Sequence, residues 1–325
     1  MNFQEAYREL MYQTPQLPQE LASRLVNRAW RDIRDSRLWS FNVAQGVFVS
    51  AGQIITGTFS TTRFQNTMTA SSSAKTALNA VTFPPLTIRQ IRFGVPTAAG
   101  PTYNITDWDS VNGVLTTDLM YTETASATTP YQILECYYYI YTGQQEKVTD
   151  FLKFISIKDP ITGYTLKYGY TRPEIDQMDP QRAYQGQPYW VCQYKVDSQG
   201  VPLFELIPNP TTNQRYDVLY QKRGSDLAEG DTLNSVCENA IMELGLGRAA
   251  QWALRNIGRY SELKGTDWRF IFSEHKRAFA ELLEQAERQD EETFLQNYIP
   301  DIVPRFGPID SNFMQAHDTS FWFGY

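Results

Sequence analysis

The run Leu21-Ala-Ser-Arg-Leu-Val-Asn-Arg-Ala-Trp-Arg-Asp-Ile-Arg-Asp35 decides how this chain is organised. Leu21, Leu25, Ala29 and Ile33 recur every four residues, and Val26 and Trp30 widen the stripe. That spacing predicts an amphipathic helix over 17–39, with Pro18 at its first position, where a missing N–H costs nothing. A shorter helix is expected over 3–12, ending before Thr14-Pro15. The same period returns about two hundred residues later. Leu233, Val236, Cys237, Ala240, Ile241, Leu244 and Trp252 line one side of 232–257. Trp268, Ile271, His275, Ala278, Phe279, Leu282 and Ala286 form a further stripe behind a Thr266-Asp267 cap. Stripes this large cannot be left in water, so Leu25, Ile33, Ile241 and Leu282 are expected to share a core.

The intervening sequence has a different period. Residues 46–147 contain 11 charged residues and 26 Ser+Thr, with short apolar runs (Val47–Val49, Ile88–Ile91, Ile133–Tyr141) between Gly, Pro, Ser and Thr clusters. This is an all-β pattern, in which Thr67–Ala77 is expected to be irregular. Residues 148–220 carry a β-meander signal. Trp190, Cys192, Tyr194 and Val196 alternate along one strand, Asp197–Gly200 turns, Val201–Ile207 returns, and Tyr216, Val218 and Tyr220 line a third strand. After residue 293, Pro300, Pro304 and Pro308 prevent a helix, and Phe313, Phe321, Trp322, Phe323 and Tyr325 read as an extended aromatic arm.

The expected fold class is therefore α+β: a discontinuous helical bundle from both chain ends, a long inserted antiparallel β region and an extended C-terminal arm. The expected divisions are 1–45 and 221–292 (the bundle), 46–147 (a β-rich module), 148–220 (the meander) and 293–325 (the arm).

Composition narrows the function. The 325 residues include 42% hydrophobic and 14% aromatic side chains, which excludes wholesale disorder. Their net charge of -7 argues against binding nucleic acid by phosphate neutralisation over the whole chain. Cys136, Cys192 and Cys237 lie far apart, with no CxxC, so neither a disulfide framework nor a cysteine-rich zinc site is encoded. The opening residues lack signal-peptide character, and no stretch is long and apolar enough to span a membrane.

No catalytic constellation emerges. His275 lies on an apolar helical stripe and reads as a core or interface histidine; His317 sits in the arm without a partner set. Gly245-Leu-Gly247-Arg-Ala-Ala250 matches the GxGxxA dinucleotide turn, but that turn needs a preceding strand and the residues before Gly245 have helical period. The Tyr137–Tyr141 run reads as a sheet with two aromatic faces, with a carbohydrate platform as the alternative. Arg24, Arg28 and Arg31 share a helix face, spaced for the pairs Glu20–Arg24, Arg28–Asp32 and Arg31–Asp35. Residues 226–292 hold 8 basic and 14 acidic positions. Arg24, Arg28 and Arg31 are the candidate subunit–subunit face.

Four segments carry a resemblance: the 21–35 run leading to Trp39, Gly186–Val191 with the meander ending in Leu206-Ile-Pro-Asn-Pro210, Tyr216–Tyr220, and the terminal helix pair. In them the chain resembles the head-to-tail adaptor (connector) proteins of tailed bacteriophages, nearest to the tail-tubular-protein-A type of short-tailed phages. The resemblance covers about two-thirds of the chain. It departs at 46–147, longer than the family's usual insertion. It implies a non-enzymatic virion protein at the head-tail junction, made in the host bacterial cytoplasm. Such proteins form a ring, usually of twelve subunits, beneath the portal protein, with DNA passing through the channel without sequence-specific binding. It implies no cofactor, metal or membrane. The arm residues Phe313, Phe321, Trp322, Phe323 and Tyr325 would dock on the portal, and a β surface bearing Trp190 and Tyr194 would face the tail nozzle or tail-tube protein. The competing expectations are a carbohydrate-binding β protein of a phage tail, acting through Trp190 or Tyr137–Tyr141, and a nucleotide-binding enzyme.

Overall fold

The computed structural model describes residues 1–94, 101–135, 137–143, 146–179 and 184–297. The chain opens with helices α1 (Phe3–Gln13) and α2 (Gln19–Ser36). Strands β1 (Val43–Ser50), β2 (Phe59–Thr61) and β3 (Thr67–Ala70) lead to helix α3 (Ser72–Asn79). Then come β4 (Arg89–Phe93), β5 (Thr102–Asp109), β6 (Val114–Thr117), β7 (Ser126–Thr129), β8 (Tyr131–Glu135), β9 (Phe151–Lys158) and β10 (Lys167–Tyr170). Helix α4 (Arg172–Met178) precedes β11 (Trp190–Val196), β12 (Pro202–Ile207) and β13 (Gln214–Lys222), and the described chain ends in α5 (Glu238–Asn256) and α6 (Trp268–Asn297). The fold is α+β, and it divides into a helical unit (1–43 with the chain from Arg223 onward) and a β unit (Ala44–Lys222).

The helical unit is built from both chain ends. Its core joins Leu10, Val26, Ile33, Ile241 and Leu246 to the partly buried Leu25 and Leu282. Each fully buried aliphatic side chain contributes about 1.5–3 kcal/mol. Helix α1 starts at a reciprocal cap: the Glu5 N–H donates to Asn2 Oδ1 (2.8 Å), and the Asn2 N–H donates to Glu5 Oε2 (2.9 Å). Pro18 is the cap residue of α2, one position before the first helical residue. Asp267 Oδ1 accepts from the amides of Arg269 and Phe270 and so caps α6. The two glycines of the GxGxxA match lie inside α5, with no strand before them. They serve as spacers. A Cβ on Gly245 would meet Leu10 at 3.3 Å, and one on Gly247 would meet the His275 Cβ at 3.5 Å, so α1 and α6 are both seated closely on α5.

The β unit holds three sheets. One runs β7-β2-β3-β6-β5-β4-β8, and its two outermost strands are separated in the chain by Pro130 alone. The sheet therefore curls into a barrel whose two edge strands are joined through the chain at Pro130, filled by Phe59, Met68, Ile91, Phe93, Tyr103, Leu115, Tyr131 and Ile133. Thr67–Ala77, expected to be irregular, is ordered here. Met68 points into the barrel, Ser71 caps α3, and Ala74 and Leu78 pack on the barrel core. The Ser/Thr richness of this segment serves a strand edge and a helix cap.

The expected three-strand meander is also corrected. β11 and β12 pair as a hairpin, with β10 parallel on the far side of β11. β13 leaves that sheet to lie between β1 and β9. The connection carries Pro208 and Pro210, which have no N–H to extend the ladder. Strict alternation along β11 also fails: the register shifts between Gln193 and Lys195, and Val191 and Cys192 are both buried. Residues 46–147 and 148–220 share a core in which Phe48 packs with Phe151, Phe204 and Tyr216. Its centre is aromatic: Phe204 lies 4.9–5.6 Å, centroid to centroid, from Phe48, Phe151 and Phe154.

Candidate interaction surfaces

In the helical unit, the polar row of α2 is used mainly on the chain's own return. Asn27 Nδ2 donates to Leu227 O (3.1 Å) and the Leu227 N–H donates back to Asn27 Oδ1 (2.7 Å). Trp30 Nε1 and Arg34 Nη1 both donate to Ser225 O (3.0 and 2.9 Å). A Cβ on Gly224 would overlap the Arg34 side chain, so a glycine is required where the buried guanidinium passes. Arg31 forms a two-pronged pair with Asp226 (2.8 and 2.9 Å).

This changes the expected ion pairs. Asp32 pairs with Arg248 of α5, and Asp35 takes Arg34. Arg31 is engaged within its own chain, while Arg24 and Arg28 are exposed and form no ion pair among the described residues. Helical spacing alone pointed to neighbours on α2; partners reached through tertiary folding are better placed. On the opposite side of the charge balance, α6 carries 7 acidic and 4 basic residues. Glu281, Glu284 and Glu292 are exposed on it. Asp290 is buried and accepts from the Ser40 amide and hydroxyl (3.0 and 2.5 Å), which ties α6 to the end of the N-terminal segment. His275 Nδ1 lies 2.6 Å from Glu243 Oε2 across the α5–α6 seam, a satisfied structural pair. Burial pushes the Cys237 thiol up to about 12. It is a core residue with no reactive character.

In the β unit, Tyr137, Tyr139 and Tyr141 are buried against Ile88, Val201 and Leu203, with Tyr138 turned to the aromatic core. A run so enclosed presents no platform to a sugar. Tyr194 stacks on Tyr137 (4.2 Å, 19°), with the Arg172 guanidinium 4.4 Å from its centroid. Trp190 is half-buried beside Tyr170 and Tyr189. Structure thus places both candidate tail-facing residues in half-covered aromatic clusters on β11, Tyr194 stacked and Trp190 edge-to-face, tied to α4 and β10.

Two features had no signal in the sequence. Asp159 is fully buried and organises the turn after β9, accepting from the amides of Ile161 (2.9 Å) and Thr162 and from the Thr162 hydroxyl (2.8 Å). Burial works to raise its carboxyl, but these hydrogen bonds prevail and hold it below the ordinary carboxylate range. At one end of the barrel, Phe64, Leu119 and Met120 are 61%, 60% and 58% exposed.

Among the described residues no group of three or more His, Cys, Asp or Glu side chains is arranged to hold a metal, and no helix is long and apolar enough to cross a membrane. The arm residues Phe313, Phe321, Trp322, Phe323 and Tyr325, with His317, lie outside the described residues. No protein-family model matches the chain, and no curated protein is significantly similar to it. What the surfaces do must be argued from their own chemistry.

Proposed function

We propose that this chain is a structural adaptor of a tailed-bacteriophage virion, forming a ring at the head-tail junction between the portal protein and the tail nozzle or tube. DNA would pass through its channel without sequence-specific contact. The observation that carries the reading is the pair of unlike faces on the helical unit. Arg24 and Arg28 stand exposed and without ion-pair partners among the described residues on α2, while α6, with 7 acidic and 4 basic residues, exposes Glu292 together with Glu281 and Glu284, which pair along the helix with Arg277 and Arg288. Closed rings need two different complementary faces per subunit, and a helical unit built from both chain ends supplies them on separate helices. Exposed pairs contribute only about 0–1 kcal/mol each, so these faces orient subunits more than they hold them. Free protein is accordingly expected to be monomeric or weakly associated, with the ring assembling on the portal.

Coexpression with the portal protein encoded in the same genome, followed by native mass spectrometry, tests this. The expected product is a portal ring carrying a fixed number of adaptor copies, lost on combining Arg24→Glu with Arg28→Glu. A chain that never associates with the portal, or a stable ring in dilute solution without it, overturns the reading.

A further inference from the structure

The end of the barrel that carries Phe64 is built as a rigid apolar projection. Phe64 has φ +65°, a left-handed backbone that bulky side chains rarely adopt. Its conformation is held by its surroundings: the Phe64 N–H donates to Tyr121 O (2.7 Å), the Tyr121 N–H to Gln65 O (2.8 Å) and the Thr117 N–H to Asn66 O (2.9 Å). Two loops are laced together, and the side chains they hold outward are Phe64, Leu119 and Met120. The Arg63 guanidinium stands 4.7 Å from the Phe64 ring centroid, and exposed Asp118 adjoins Leu119. Fixed aromatic groups at exposed tips are the usual form of an interface anchor, since little freedom remains to be lost on binding.

The same unit carries an open depression. A shallow, open trough of about 610 Å³ lies along β10, lined by Tyr168, Gly169 and Tyr170. A Cβ on Gly169 would meet nothing within 4 Å. Its aromatic lining is held in place: Tyr168 Oη donates to Ile155 O (2.8 Å), its ring lies 5.7 Å from Phe154, and Tyr170 packs edge-on to Trp190 (6.1 Å). The charged residues that line it are Glu174 and Lys167. Projection and trough thus set aromatic against aromatic and cationic Arg63 against anionic Glu174, whose Oε2 already accepts from the Thr171 N–H (2.7 Å) and hydroxyl (2.8 Å) at the start of α4; Asp118 is held within its own chain by the Asn104 amide (2.9 Å) and side chain.

We propose that Phe64 of one copy of this chain seats in the Tyr168–Tyr170 trough of the next, with Arg63 meeting Glu174. The contact is head-to-tail, since the two surfaces differ, and it propagates around a ring or along a line. It deepens the ring reading and rests on it for why copies meet, but it is a contact between β units and needs neither α2 nor α6.

Leu119 lies on the projection and Thr165 in the trough lining, and both can be tagged while Phe64 stays in place. Full-length Leu119→Cys chains mixed at high concentration with differently tagged Thr165→Cys chains, with and without the portal protein, and treated with a short bismaleimide, are expected to give linked pairs containing one of each. The unsubstituted chain supplies the background of the native cysteines. Adding Phe64→Ser to the Leu119→Cys chain should lower the mixed product several-fold with an unchanged near-ultraviolet circular dichroism spectrum. Adding Arg63→Glu to it should also lower the yield by setting like charges together, and Glu174→Gln in the partner chain, which keeps an acceptor for the Thr171 cap of α4, should recover part of it. Absence of linked product, like-with-like pairs as frequent as mixed ones, or indifference to Phe64→Ser overturns the proposal. If the chain binds the portal as a ring but Leu119 and Thr165 do not link, this contact fails and the adaptor reading stands. If mixed links form in a chain that never binds the portal, the contact stands and the adaptor reading fails.

Discussion

The two units solve the same packing problem with opposite materials. The helical core is rich in small residues, with Ala6, Ala22, Ala29, Ala240, Ala249 and Ala286 fully or nearly buried and two glycines inside α5. The β core is made of rings, Phe48, Tyr138, Phe151, Phe204, Tyr216 and Tyr220 among them. Helix axes lie about 8–10 Å apart according to the side chains between them, and short ones let them come to the near end of that range, whereas sheet faces about 10 Å apart leave a gap that large side chains must fill. The lesson is that tolerance should invert between the units: the β core resists truncation, and the helical core resists enlargement.

Phe204→Ala should produce the largest effect, a loss of about 3–5 kcal/mol in denaturant unfolding, because three rings lose their common neighbour. A loss under about 1 kcal/mol would mean the rings close over the gap and the contrast is wrong. Gly245→Leu should cost about 1–3 kcal/mol by overpacking against Leu10, and Leu10→Ala in the same chain should recover part of it, a coupling read from a double-mutant cycle. Additive losses would show that Gly245 is not a spacer for α1.

Asp159→Ala should cost about 1–3 kcal/mol by opening the turn after β9. Its folded carboxyl is held below the unfolded value, so its contribution is present in full above about pH 4 and is lost as pH falls through the folded pKa. Asp159→Asn should therefore flatten the acid limb of the denaturation midpoint plotted against pH; an unchanged limb would count against this assignment. The smallest effect is expected at Gly247→Ala. Its Cβ would make an ordinary 3.5 Å contact, and alanine favours the helix by about 1 kcal/mol over glycine, so thermal unfolding should be unchanged or slightly later.

The same contrast explains what could be read in advance. The helical stripes were visible because a 3.6-residue period repeats over many turns, and Leu25, Ile33, Ile241 and Leu282 do meet in one core. The helical setting of Gly245 and Gly247 followed from that period too. Strands of three to five residues, such as Phe59–Thr61 and Ser126–Thr129, hold too few alternations to declare a face, so barrel closure across Pro130 had no local signal. The fate of Arg31 was hidden for a different reason: Asp226 is remote in sequence and only the folded chain brings it within 2.8 Å. Phe64 looked like one more aromatic among Thr, Arg and Gln. Its left-handed backbone depends on hydrogen bonds to residues 117–121, which no pattern around position 64 records.

Strands β1 and β13, on which the chain enters and leaves the β unit, lie side by side in one sheet. That adjacency has a consequence for the order of assembly. With the insertion unfolded, bringing α2 to α5 means closing a loop of about 200 residues, an entropic cost on the order of 5 kcal/mol. Once the β unit has formed, its two exits are held close together and that cost has already been met. The helical ends then approach as if joined by a short tether, so a chain whose insertion fails to fold should lose its helical unit as well.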